Sequence, residues 1–117
     1  MATPPHPLRL SFLLDTGATT TMVSEQHMRS LGIPPSGKTT VANFNGQGEC
    51  ATYDVQFGLH LPGTSKGERF RITALPVIGG SLQSTQSIDG LIGIDVLRHL
   101  TLVIEGPRNG YRMEYPV

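Results

Sequence analysis

Along the first stretch of the chain, Leu8, Leu10, Phe12 and Leu14 alternate with Arg9, Ser11 and Leu13, a pattern that predicts a strand running directly into Asp15. Thr20 to Val23, rich in β-branched residues, predicts a second short strand. Ser24 stands where an N-cap would, ahead of a brief helix over Glu25 to Leu31, with Gly32 at the C′ position and Pro34 beyond it. Lys38 to Phe44 is strand-like and leads into the turn Asn45-Gly46-Gln47-Gly48, whose Asn-Gly pair favours positive φ and chain reversal. The return strand alternates most clearly. Ala51, Tyr53, Val55, Phe57, Leu59 and Leu61 fall on one side, and Thr52, Asp54, Gln56, Gly58 and His60 on the other. Pro62 to Gly67 reads as a loop, Arg69 to Ile78 as a strand, and Gly79 to Ser87 as a polar loop. Ile88 to Gly93 is a short apolar segment, and Asp95 is placed to cap a final helix through Leu100. The tail predicts a hairpin, Thr101 to Glu105 and Tyr111 to Tyr115 about the turn Gly106 to Gly110.

Composition narrows the class. With 117 residues the chain has room for one core, expected over residues 8–117 behind a flexible leader of residues 1–7. Charged residues make up only 15%, against 14 Gly and 9 Pro, which favours short strands and tight turns over long charged helices. The expected fold class is therefore all-β with one or two short helices, as a sandwich or barrel. The net charge is zero and no basic stripe is present, so no nucleic-acid partner is expected. Cys50 is the only cysteine and the four histidines (His6, His27, His60, His99) lack ligand-like spacing, so neither a metal nor another cofactor is expected. Cys50 reads as a small apolar strand residue. No apolar run approaches the ~20 residues that span a bilayer, and a reducing, cytoplasmic setting is the expectation.

Chemistry concentrates in Leu13-Leu14-Asp15-Thr16-Gly17-Ala18-Thr19. An apolar strand delivers a carboxylate into a glycine turn with a hydroxyl beside it. Placing a charge against an apolar strand is costly unless a function retains it. Alone, the tripeptide Asp-Thr-Gly is equally an Asx-type turn at a strand end. Further along stands Leu91-Ile92-Gly93-Ile94-Asp95-Val96-Leu97, two apolar residues and a glycine followed by a short helix.

The two segments, in this order and spacing, resemble the retropepsin family, the single-lobe aspartic proteases of retroviruses, retrotransposons, bacteria and the DNA-damage-inducible eukaryotic proteins. The resemblance spans Leu8 to Tyr115. It implies a retropepsin-like closed β-barrel or sandwich lobe acting as a C2 homodimer that cleaves a peptide or protein substrate. Asp15, Thr16 and Gly17 would be the catalytic turn, with Thr16 bonding across the dimer axis. Gly93 would leave room for that turn, and the hairpin around Asn43 to Cys50 would be a flap closing over substrate. Ala18, Thr19, Asn45, Gly46, Gly48, Ile78 and Ile92 would contact the substrate. One Asp-Thr-Gly supplies one carboxylate. Asp54 is expected to face solvent, Asp89 lacks the hydroxyl neighbour and Asp95 reads as a cap, so the second carboxylate would come from a second copy.

The sequence departs from the retroviral pattern at Thr19, Thr20 and Ile94, where those relatives carry acidic residues and an arginine. Only 14 residues precede Asp15, so the C-terminal hairpin would carry more of the dimer interface. Two other readings compete with proteolysis. One is a catalytically silent dimer of the same fold that binds peptides or assembles partners, which would not need an acidic pair. The other is a nucleotide site, because Asp-Thr-Gly-Ala-Thr-Thr resembles the phosphate loop of actin-like ATPases. Those proteins need two large α/β lobes, and this chain is too short and too β-rich.

Overall fold

A computed structural model describes residues 8–43, 46–60, 69–80 and 88–114. The expected leader (residues 1–7), the loop Pro62 to Gly67, most of the polar loop after Gly80, Asn45 and Tyr115 lie outside these residues. The described chain is mostly β. Strands β1 (Phe12–Leu14), β2 (Met22–Ser24), β3 (Gly37–Asn43), β4 (Gly46–His60), β5 (Arg69–Gly80) and β6 (Gly90–Ile92) form one six-stranded sheet in the order β1-β6-β2-β5-β4-β3. Strands β7 (Thr101–Glu105) and β8 (Gly110–Glu114) form a separate two-stranded sheet joined by a 3₁₀ turn, Gly106–Arg108. The two helices are α1 (Glu25–Ser30) and α2 (Ile94–Leu97).

The large sheet is a curled half-barrel, not the closed barrel expected from the resemblance. Closure would need its end strands to meet. Among the described residues β1 pairs only with β6, and β3 only with β4. The β3–β4–β5 half is an antiparallel meander. The other half interleaves: β6 runs parallel to β1 and antiparallel to β2, and β2 runs parallel to β5. The last strand of the sheet is thus inserted between the first two.

The sequence alternation of β4 is realised, with Tyr53 buried, Val55, Phe57 and Leu59 half-buried, and Asp54, Gln56 and Gly58 exposed. A bulge between Val55 and Phe57 lets the strand bend over the core. There Phe57 meets Phe12 edge-on, with ring centroids 5.7 Å apart. The core gathers Val23, Met28, Tyr53, Leu75, Val77, Ile92, Val96 and Leu97, so both helices and the interleaved strands pack on one face of the sheet. Burying a side chain such as Val77 or Leu75 contributes roughly 1.5–3 kcal/mol.

Several boundaries move. The first strand shortens to Phe12–Leu14 because β6, its only neighbour among the described residues, is three residues long. The second begins at Met22 and not Thr20, because Thr21 is taken up by the loop bonds described below. Ser24 precedes α1 but makes no side-chain cap bond. Gly32 does close the helix: with φ +70° it directs its own N–H to the Arg29 carbonyl and that of Ile33 to the Met28 carbonyl. The β3–β4 hairpin turns two residues earlier than a turn over Asn45–Gly48 would require. Asn43 pairs with Gly46, and Gly46 itself takes the left-handed φ of +117°. Helix α2 ends at Leu97, followed by turn bonds through Leu100, and its N-cap is Gly93, not Asp95.

Candidate active site

Asp15 leaves β1 in step with the ladder. Its N–H donates to the Ile92 carbonyl at 2.9 Å, one residue past the Leu14–Ile92 pair. Its carboxylate then folds over the turn, where Oδ1 accepts the Gly17 N–H at 2.9 Å and the Asp15 carbonyl accepts the Ala18 N–H at 3.1 Å. The Asx turn and the special role are therefore compatible: one oxygen orders the loop, and among the described residues Oδ2 has no hydrogen-bond partner. A Cβ at Gly17 would lie 3.3 Å from Asp15 Oδ1, close enough that the carboxylate would have to shift by a few tenths of an ångström.

The loop crosses directly over the end of β6. A Cβ on Gly93 would sit 2.8 Å from the Ala18 carbonyl oxygen and 2.9 Å from the Thr20 carbonyl carbon, so only glycine admits this crossing. Beside it the Ile94 N–H donates to the Ala18 carbonyl at 2.8 Å. At the far end of the loop Thr21 is wholly buried. Its N–H and hydroxyl donate to the two oxygens of Asp95 at 2.9 and 2.7 Å, while its hydroxyl oxygen accepts the Gly93 N–H at 3.1 Å. Asp95 thus sits in the first turn of α2 as an acceptor for the loop.

Strand pairing defines what lies beside Asp15. Register links Leu13 to Leu91, Leu91 to Met22, Met22 to Ile78 and Ile78 to Thr52, so these residues share one face across five strands. This is the face away from the core. Leu13 is 51% exposed, and Leu91, Met22 and Ile78 are half-buried. Strand alternation carries Asp15, two residues after Leu13, to the same side. Apart from Thr52 the row is apolar, and the described chain covers it only in part, a combination suited to a ligand.

Of the residues expected at the site, Thr16, Gly17 and Thr19 are exposed on the loop and Ala18 is half-buried. Ile78 lies on the outer apolar row. Gly46 and Gly48 lie at the end of the β3–β4 hairpin, where an added Cβ would meet nothing within 4 Å. Ile92 does not belong to the outer row. It is 4% exposed and packs into the core, because the parity of β6 turns it inward and turns Leu91 outward. Sequence reasoning missed Leu13, Met22 and Leu91. Leu13 carried a signal, an apolar side chain at a position whose neighbours Arg9 and Ser11 are polar.

A further cluster buttresses the entry to β1. Asp89 Oδ2 accepts the Ser11 N–H at 2.8 Å, and Oδ1 lies 2.9 Å from His27 Nε2 on α1. The Ser11 N–H, and secondarily His27, hold the Asp89 carboxyl below the usual carboxylate range. Burial, with its bond to Glu25, pushes the Tyr53 hydroxyl up, and that hydroxyl donates to Glu25 Oε1 at 3.0 Å.

The lobe is mostly β, and its Asp-Thr-Gly turn crosses the end of a Leu-Ile-Gly segment. The family model described as aspartyl protease matches residues 7–96, which takes in every element from β1 to β6 and all but the last residue of α2. The chain belongs to the aspartyl protease family, in its retropepsin-like clan. No curated protein matches the chain. The β7–β8 hairpin lies beyond the matched stretch.

Proposed function

We propose that two copies of this chain pair about a twofold axis to form an aspartic endopeptidase, in which a water held between two Asp15 carboxylates, one per subunit, hydrolyses a peptide bond. The observation that carries this reading is that Asp54, Asp89 and Asp95 are each otherwise engaged or turned to solvent. Asp89 is bound by Ser11 and His27, Asp95 by Thr21 and Val96, and Asp54 points to solvent from β4. Among the described residues of one chain Asp15 has no mate, and a closed twofold pairing supplies one.

Two carboxylates held within a few ångströms share a single proton, the arrangement for which aspartic proteases are the reference case. The ionised one takes a proton from the water as its oxygen attacks the scissile carbonyl carbon. The protonated one donates to the carbonyl oxygen. The tetrahedral intermediate then collapses as the C–N bond breaks, the nitrogen takes a proton, and acid and amine products leave. Thr16 braces the paired turns, with Gly17 keeping Asp15 in place. Substrate lies extended over the outer row of Leu13, Met22, Ile78 and Leu91, bonding strand-wise to the backbone near Ala18 and Thr19. Apolar side chains on both sides of the cut are the preferred partners of that row. The β3–β4 hairpin, with Gly46 and Gly48, closes over the peptide as a flap.

The test is cleavage of a peptide library across a pH series by wild type, Asp15→Asn and mixtures of the two. Asparagine is nearly isosteric but cannot act as a base, so the variant loses at least about a hundredfold in rate. In excess it also poisons wild type, because mixed dimers hold half a dyad. The wild-type rate follows a bell in pH. An active Asp15→Asn, or activity per mole that stays constant through dilution into monomer, would sink the reading.

A further inference from the structure

We propose that Asp95 and Thr21 form a positioning clamp that sets the place of the Asp15 loop, and through it the spacing of the catalytic pair. The proposal rests on the function proposed above. The loop is fastened to the segment 92–95 in three places. Asp15 N–H donates to the Ile92 carbonyl at 2.9 Å, Ile94 N–H donates to the Ala18 carbonyl at 2.8 Å, and Thr21 is held by Asp95. The first two are single backbone bonds. The third is a cluster of side-chain bonds and the only one of the three that a substitution can remove.

The cluster is specific about chemistry. Asp95 Oδ1 accepts from the Thr21 hydroxyl at 2.7 Å and from the Val96 N–H at 2.9 Å, and Oδ2 accepts from the Thr21 N–H at 2.9 Å. All three partners are donors, so the position requires an acceptor-only side chain, which is a carboxylate. The Thr21 hydroxyl is used twice, donating to Asp95 and accepting the Gly93 N–H at 3.1 Å. The Thr21 carbonyl accepts the Ile78 N–H at 3.0 Å, which ties the same residue to β5. A four-residue helix does not itself require this arrangement. Only the Val96 bond serves α2, while the other two reach a residue 74 positions away. Asparagine cannot replace the carboxylate. Its amide nitrogen would face the Thr21 N–H in one orientation and the Val96 N–H in the other, and each orientation loses a bond.

Asp95 touches neither water nor peptide in this scheme and acts through Thr21 on the loop. Loosening the clamp frees the carboxyl-terminal end of the loop, lets the two Asp15 side chains drift apart, and weakens their coupling. The two apparent pKa values of a carboxylate pair separate because the charges repel at short range, so weaker coupling brings them together. The pH bell then narrows, an effect that loss of folded protein alone does not produce.

The experiment compares wild type with Asp95→Asn, Thr21→Val and Thr21→Ser in the full chain, measuring kcat, KM, bell width, Tm and amide hydrogen exchange. Asp95→Asn and Thr21→Val are expected to lose about tenfold or more in kcat with KM within about threefold, since small displacements of a reacting group are costly. Both narrow the bell and speed exchange of the Ile94 amide, while the β3–β4–β5 amides keep their rates. Thr21→Ser, which restores the hydroxyl, recovers kcat and bell width relative to Thr21→Val. If Asp95→Asn does not fold, the Thr21 pair decides. A loss that merely follows the folded fraction, with bell width unchanged, overturns the clamp. Wild-type kcat and exchange in both variants overturn it equally. If wild type cleaves nothing, the proposed function fails, and exchange at Ile94 alone then upholds or overturns the clamp.

Discussion

Replacing Gly93 with alanine tests the crossing of loop and strand most directly. The new methyl would stand 2.8 Å from the Ala18 carbonyl oxygen, 2.9 Å from the Thr20 carbonyl carbon and 3.1 Å from the Thr20 oxygen, all backbone atoms. No side-chain rotation relieves such contacts. Ordinary contact begins near 3.4 Å, so loop and strand must part by about 0.6 Å at the tightest point. Inserting a methyl into a packed site costs about 1–3 kcal/mol. For a chain of this size that is a drop in Tm of roughly 3–15 °C. A misplacement of about 1 Å at a reacting group costs on the order of a hundredfold in rate, so this shift predicts a loss in kcat of about tenfold. Thermal denaturation and turnover of a fluorogenic peptide measure the two effects. Gly106→Ala is the stability control, because its methyl meets nothing within 4 Å. A Gly93→Ala protein with wild-type Tm and kcat would refute the crossing as described.

Asp89→Asn is expected to lower Tm at neutral pH. The folded carboxyl titrates below its unfolded value of about 3.9, so its contribution is present above that value and disappears as pH falls through the folded one. The gap from wild type should therefore close in acid, and a gap that ignores pH would contradict the Ser11 and His27 contacts as its cause. On the β7–β8 hairpin, Ile104 and Tyr111 pair in register and are 73% and 60% exposed, an apolar surface suited to the second subunit of the proposed dimer. Ile104→Lys should raise the dimer dissociation constant about tenfold or more in sedimentation, leaving the circular dichroism of the monomer unchanged, and unaltered dimerisation would exclude this surface.

What could be read from the sequence was local. The alternation of β4 survives because each side chain is sorted by its own burial, and Gly32 closes α1 because only a residue tolerant of positive φ ends a helix that way. The need for glycine at position 93 was also legible, once its segment was set beside Asp15. The parity of β6 was not legible. Gly90, Leu91 and Ile92 are apolar throughout, as suits a strand bounded on both sides, so the sequence cannot show that Leu91 faces out and Ile92 in. Asp95 looked like a cap because aspartate favours that place, and its partner Thr21 read as part of the predicted strand Thr20 to Val23, with no local sign of a contact 74 positions on. The closed barrel failed for a related reason: local pattern counts strands but does not say which edges meet.

The insertion of β6 between β1 and β2 has a consequence in time. As the chain emerges during synthesis, β4 can pair with β3 and β5 with β4 as soon as each is made. β1 cannot, because its only partner among the described residues comes from Gly90–Ile92, and the Ser11–Asp89 bond that steadies its entry spans 78 residues. Contacts of such separation form late, since a long loop must close before they are rewarded. The Asp15 turn therefore acquires its floor, its Gly93 crossing and its clamp only after most of the chain exists. A nascent or truncated chain ending before residue 90 would carry the Asp-Thr-Gly sequence without the geometry that surrounds it in the folded lobe.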